Sequence, residues 1–389
     1  MPPPETTPDA DAVVLCLPEG ETLASWHDDG RLDQQRPLIE RFARCELGAA
    51  IVADAGPAVE LPDRVSFVPR GETPGQDVAD ALHITPGARV VTRTMQLTDG
   101  GASAMIAETL RARGVEVGRI ARGGHVRSRF IGLRDGAETP QAIRAGEIER
   151  DLCQHSDIVV GTTGKMVDDL AWRWALPDER CRVIPNFVDD ATPADADAPR
   201  EAGVVLVVGP LEPFKNTDLI LRAIGAMPRA ARGSFTLEIV GDGSQRAELE
   251  TLAAELGVNT RFLGKLPHAA VLERMRACAA YVQASSYEGH PTALIEAMAC
   301  GAPVIVADTP GLGIVVDNGV SGVIVPGTPE SITYALSGVL EDDGWRAMLG
   351  RSAAAAAVRR YGIGRVFELE CEACSTALEF ARRAPRQAA

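Results

Sequence analysis

Lysine is almost missing from this chain: of its 39 basic residues, only Lys165, Lys215 and Lys265 are lysines. With arginine as the default cation, a lysine standing inside a motif reads as placed there for a purpose. Long apolar runs are missing too; no stretch of about 18 uncharged apolar residues occurs, which excludes a membrane-spanning helix. The start, Met1-Pro-Pro-Pro-Glu-Thr-Thr-Pro-Asp9, is acidic and proline-rich, unlike a secretory signal peptide, and reads as a disordered leader over residues 1–11. No Gly-x-Gly-x-x-Gly follows a strand with an acidic residue at the right distance, so a dinucleotide-dependent oxidoreductase is excluded. No aspartate-rich cluster stands out, so neither a metal nor another cofactor is expected. The net charge of −15 argues against nucleic acid as the main partner.

What is present suits a globular protein of ordinary composition. The 389 residues are 46% hydrophobic and 24% charged, enough for two domains with their own cores. Eight cysteines are scattered, several in apolar segments (Cys16, Cys278, Cys300). Without an export signal they read as reduced, buried thiols of a cytoplasmic protein. Cys371 and Cys374 have redox or zinc spacing, but they lie in a helical pattern with no second ligand pair, so they read as neighbours one turn apart.

Short apolar runs alternate with helical patterns along the whole chain. Strands are expected at 12–17, 50–53, 65–68, 89–92, 117–121 and 158–161, then at 204–209, 236–240, 260–263, 280–283, 304–307 and 322–325. Helices are expected between them, as at 31–45, 102–113, 217–227, 245–256 and 270–278. This alternation predicts parallel sheets covered on both faces, in two Rossmann-like doubly wound domains of class α/β. The first spans 12–190 and the second 201–362, joined by an acidic Ala/Asp/Pro linker at 191–200. A last helix over 363–389 is expected to cross back to the first domain. Ligands of such sheets bind beyond the carboxyl ends of the strands, so the natural site is a cleft across which the two domains face each other.

The most informative stretch is Ser286-Tyr-Glu-Gly-His-Pro-Thr-Ala-Leu-Ile-Glu-Ala-Met-Ala-Cys-Gly301. Glu288 precedes a helix that Pro291 is expected to open, and Glu296 lies inside it. Free N–H groups at a helix start favour an anion, and proline is tolerated there. Two carboxylates flanking that start can meet the hydroxyls of a sugar and of a ribose while the N–H groups hold phosphate.

With the Pro-Val-Ile that follows at 303–305, this pattern resembles the donor-site motif of glycosyltransferase family 4, retaining enzymes of the GT-B fold. The resemblance is strong from about Val204 to Tyr361 and firm again at Val183-Ile-Pro-Asn-Phe-Val-Asp189. It implies transfer of a sugar from a nucleoside-diphosphate sugar to an acceptor hydroxyl with retention, in polysaccharide or glycoconjugate synthesis. It implies that Glu288 lies near the transferred sugar, beside Gly289, His290, Pro291 and Thr292, and that Glu296 accepts from the ribose. In the turn Gly209-Pro-Leu-Glu-Pro-Phe-Lys215, relatives carry an Arg and a Lys that grip the diphosphate; Lys215 matches, but Pro210 replaces the Arg. Gly241, Asp242 and Gly243 are implied as donor contacts, and Lys265 and Leu266 as part of a base cradle. A loop that usually ends in Glu ends here in Ile314.

The first half offers less. In Arg122-Gly-Gly-His-Val-Arg127, His125 matches a histidine that bonds the donor sugar in many relatives and is the second catalytic candidate. Arg93-Thr-Met-Gln96 loosely resembles bacterial polysaccharide-type members. Arg122, Arg127 and Lys165 are acceptor-side candidates. The seven arginines at 111, 113, 119, 122, 127, 129 and 134 form either a solvated basic face or a contact for a phosphate-bearing acceptor or an anionic membrane surface. The acceptor is accordingly expected to be a glycan, lipid-linked or a small molecule, with peripheral contact at the inner face of the membrane left open. A non-catalytic GT-B partner of an active transferase, which binds nucleotide sugar, is the alternative suggested by Pro210 and Ile314.

Overall fold

A computed structural model describes residues 6–56, 59–98, 101–190, 192 and 200–383 of the chain. The apolar runs become strands: β1 Ala12–Cys16, β2 Gly48–Ala53, β3 Val65–Pro69, β4 Arg89–Thr94, β5 Glu116–Gly123, β6 Ile158–Gly161 and β7 Cys181–Val183. They form one sheet in the order β3-β2-β1-β4-β5-β6-β7, every neighbouring pair parallel. A second parallel sheet, β10-β9-β8-β11-β12-β13, is built from β8 Glu201–Val208, β9 Thr236–Val240, β10 Thr260–Gly264, β11 Cys278–Gln283, β12 Val304–Ala307 and β13 Val323–Val325. Only β7, whose Cys-Arg-Val is broken by a charge, was not expected.

The chain divides into two compact units, one of Met1–Pro185 with Ile363–Ala389, the other of Asn186–Gly362. The expected linker falls on 191 and 193–199, outside the described residues, as do residues 1–5 of the expected leader. Within 6–11 the leader is not loose: Pro8 and Ala10 are buried, and Asp9 and Asp11 both pair with Arg89.

Each sheet is doubly wound because its strands are apolar on both faces. Along β8 successive side chains point to opposite sides. Val205 and Val207 pack with Ile220, Ile224 and Leu249, and Leu206 packs with Tyr281, Leu294 and Ile295. In the first unit the helix Ile363–Arg383 lies on β5. Gly118 permits the contact, since a Cβ there would sit 2.9 Å from the backbone of Ala377. Cys371 and Cys374 are buried within that helix, and none of the eight cysteines is in a disulfide. No described helix is long and apolar enough to cross a membrane.

The arginine-rich segment does not form one solvated face. Arg119 and Arg122 lie on β5, an interior strand covered on both sides, and both are buried. Arg122, expected on the acceptor side, instead has its Nε 3.2 Å from the carboxylate of Glu370. Arg93 from β4 grips the same carboxylate in a fork, Nε to Oε2 at 3.0 Å and an Nη to Oε1 at 2.7 Å. Burial and the like charge of Arg93 push Arg122 down to about 10, which leaves it cationic at neutral pH. Two guanidiniums thus share one buried carboxylate. Arg129 pairs with Asp169, and Arg134 with Asp135.

Candidate functional site

In the second sheet the chain winds from β8 outward through β9 to β10, then returns to β11 and winds the other way through β12 to β13. The reversal lies between β8 and β11, and such a switch point opens a crevice beyond the strands' carboxyl ends. The loops leaving these two strands carry the residues singled out in the sequence. Gly209, Pro210 and the short 3-10 turn Pro213–Lys215 follow β8; Glu288, Gly289 and His290 follow β11.

They meet. Lys215 Nζ lies 2.5 Å from Glu288 Oε1, with both side chains largely buried. The loops are also tied through backbone: Ser286 N–H donates to Phe214 O at 2.8 Å, and Asn216 Nδ2 to Ala284 O at 2.9 Å. Asn216 adopts φ 50, which a short polar side chain tolerates, and so turns the chain into the next helix.

A second layer orients Glu288. Gln283 Nε2 donates to Glu288 Oε1 at 2.8 Å, and Gln283 Oε1 accepts from the Tyr281 hydroxyl at 2.9 Å. Burial, then the charges of Glu288 and Glu296, raise the Tyr281 phenol well above its usual range. Tyr281 therefore remains a donor and fixes which way the Gln283 amide points. Sequence reading missed Gln283, because a glutamine at the end of a strand carries no pattern of its own.

The helix after Glu288 runs Thr292–Ala299; Pro291 is its N-cap, not its first residue. Proline has no N–H, so Pro291 can contribute shape but cannot donate a backbone hydrogen bond to a ligand. The first N–H groups of a helix have no intrahelical partner, and here no N-cap side chain satisfies them. Asn186 braces the turn: its N–H donates to His290 Nδ1 at 3.2 Å, and its Nδ2 to His290 O at 2.9 Å and Thr292 Oγ1 at 3.0 Å. His290 is buried, its ring edge-on to Tyr361. It is thus a brace for the turn as much as a lining residue.

Glu296, one helical turn further on, is buried and its Oε1 lies 2.9 Å from His268 Nε2. The turns after β9 and β10 complete the set. Gly241 takes φ 135, and a Cβ there would fall 1.9 Å from Gly209 O, so the two turns touch through backbone. Asp242 Oδ1 accepts from Gly243 N–H at 2.9 Å, and Lys265 is exposed while Leu266 packs on the core. Arg246 brings a guanidinium to these turns, 3.6 Å from Asp242 and over the Phe262 ring. Pro210 itself is exposed, and Ile314 is an exposed apolar side chain. Gly241→Ala is expected to cost about 1–3 kcal/mol of stability, from strained backbone and the displaced turn. An unchanged urea midpoint would count against the contact.

The remaining candidates belong to the other unit. His125 sits in the loop after β5 with its ring edge-on to Phe130. Arg127 opens the next helix and is exposed; Lys165 is exposed in the first turn of the helix Gly164–Trp174, which Thr163 caps. Among the described residues no group of three or more His, Cys, Asp or Glu could hold a metal.

In sequence, residues 189–356 match the family described as Glycosyl transferases group 1. The chain is 33% identical over 273 residues to a D-inositol 3-phosphate glycosyltransferase of Acidothermus cellulolyticus, covering 63% of this chain and 61% of that protein. It is 29% identical over 375 residues to the enzyme of the same name from Xylanimonas cellulosilytica, covering 85% and 87%. The chain thus spans less than two thirds of the first of these relatives and most of the second. Among solved structures, Anabaena HepE in complex with UDP and glucose superposes with a TM-score of 0.69 at 19% identity, over 92% of this chain and 98% of that one. Sucrose-phosphate synthase from Thermosynechococcus elongatus also gives 0.69 at 19% identity, over 93% and 98%. The fold is GT-B, and the sequence is related to glycosyltransferases of that fold.

Proposed function

We propose that this protein transfers a sugar from a nucleoside-diphosphate sugar to an acceptor hydroxyl with retention of anomeric configuration. The observation that carries this reading is the meeting of Lys215 and Glu288 at the switch point of the second sheet. Breaking the glycosidic bond requires stabilising a departing diphosphate and an oxocarbenium-like sugar. Lys215 and the unpaired N–H groups of Thr292 and Ala293 are suited to the diphosphate, because fixed charges and dipoles act there without reorganising. Donor entry then exchanges Lys215 from Glu288 to phosphate, which frees the Glu288 carboxylate for the sugar. Glu296 accepts from the ribose hydroxyls, and the turns at Gly209 and Gly241–Gly243 line the donor. We assign His125 to the transferred sugar, and Arg127 and Lys165 to the acceptor.

UDP and UDP-glucose are the first probes, since the HepE likeness was solved with UDP and glucose. Glu296→Gln is expected to weaken nucleotide binding about tenfold or more, the worth of one charge-assisted hydrogen bond. Glu288→Ala is expected to cut transfer far more than binding. Calorimetry and a transfer assay with labelled donor separate the two effects; wild-type activity in both variants would sink the assignment. Pro210, which removes the usual guanidinium, motivates a second reading as a nucleotide-sugar-binding partner without catalysis. Tight donor binding with neither hydrolysis nor transfer across a broad acceptor panel would favour it.

A further inference from the structure

We infer that His268 is a positioning residue for Glu296 and sets the preference for a ribonucleotide over its deoxy forms; this rests on Glu296 being the ribose contact. The imidazole comes from the first residue of the helix His268–Ala277, delivered by the turn that leaves β10, with Pro267 as its N-cap. Its Nε2–H donates to Glu296 Oε1 at 2.9 Å, and the side chains retain only 19% and 6% of their exposure. Glu296 stands among Leu294, Ile295, Ala297 and Met298, all buried. A carboxylate so placed needs a donor, because a buried unpaired anion is costly. Among the described residues the other oxygen of Glu296 has no protein hydrogen bond.

This division defines a geometry. A carboxylate is planar, so holding one oxygen sets the direction in which the other presents its lone pairs. Glu296 Oε2 is therefore aimed before a ligand arrives, and a hydroxyl that meets it does so without the cost of ordering the side chain. The same bond ties the segment Phe262–Pro267 to the helix that carries Glu296. Nucleotide base and ribose are thereby read by one connected pair of elements.

The test is calorimetry on the full chain with UDP, GDP and ADP, continued with the 2′- and 3′-deoxy forms of whichever binds. His268→Ala is expected to weaken the ribonucleotide about tenfold, one charge-assisted hydrogen bond's worth, while hardly changing the deoxy forms. The ribo-to-deoxy ratio collapses accordingly. His268→Gln, which retains a donor at similar reach, restores much of it. A general loss of stability would weaken all ligands alike and leave the ratio intact, so an unchanged ratio in His268→Ala overturns the inference. Glu296→Gln is the control. If no nucleotide binds, or if Glu296→Gln leaves binding unaltered, the reading of the site fails; if Glu296→Gln weakens binding while His268→Ala keeps the wild-type ratio, this inference alone fails.

Discussion

Glu370→Ala is expected to destabilise the first unit by about 3–5 kcal/mol, the usual consequence of stripping the partner from a buried charge. The loss is at the upper end because two guanidiniums, Arg93 and Arg122, are then left side by side without an anion. Arg122→Met should cost much less. It removes the surplus cation, whose Nε makes no well-aligned hydrogen bond, and leaves the fork between Arg93 and Glu370 intact. Urea unfolding of the two variants measures the difference, and equal losses would contradict this account.

The same group carries a pH dependence. Burial acts to raise the Glu370 carboxyl, but the charges of Arg93 and Arg122 together outweigh it and hold it below its usual range. A carboxyl depressed in the folded state contributes stability above its unfolded value and loses it as pH falls through the folded one. Acid midpoints should therefore differ between wild type and Glu370→Gln, with the wild type losing its advantage below about pH 4.

The second large effect is expected at Lys215. Lys215→Met should lower the rate of transfer by about 10²–10³-fold, comparable to removing one preorganised donor from a developing anion. That variant also strands Glu288, which keeps the hydrogen bond from Gln283 but loses its cation. Combining it with Glu288→Gln removes both charges together and is expected to restore stability while transfer stays lost. Recovery of transfer in the double variant would mean that Lys215 serves only to neutralise Glu288.

Much of this was legible from residues alone. β6 and β12 begin and end where the apolar runs do, because a strand covered on both faces is a short unbroken run bounded by turn residues. The neighbourhood of Lys215 and Glu288 was legible for a related reason: both follow a parallel strand, and all such loops emerge at one end of the sheet. The role of Arg122 was not. In a run of arginines nothing local separates a solvated side chain from one that enters the interior, and its buried partner is supplied by the helix Ile363–Arg383.

By itself, then, the sequence determined the alternation of strands and helices, the sheets' parallel sense and the loops that bear the acidic pair, since each follows from periodicity and chain order. Only the tertiary structure decided who neutralises whom. Arg93 and Glu370 stand 277 residues apart, and His268 and Glu296 stand 28 apart. Pairings across such separations are set by how elements pack, and they leave no trace in local spacing.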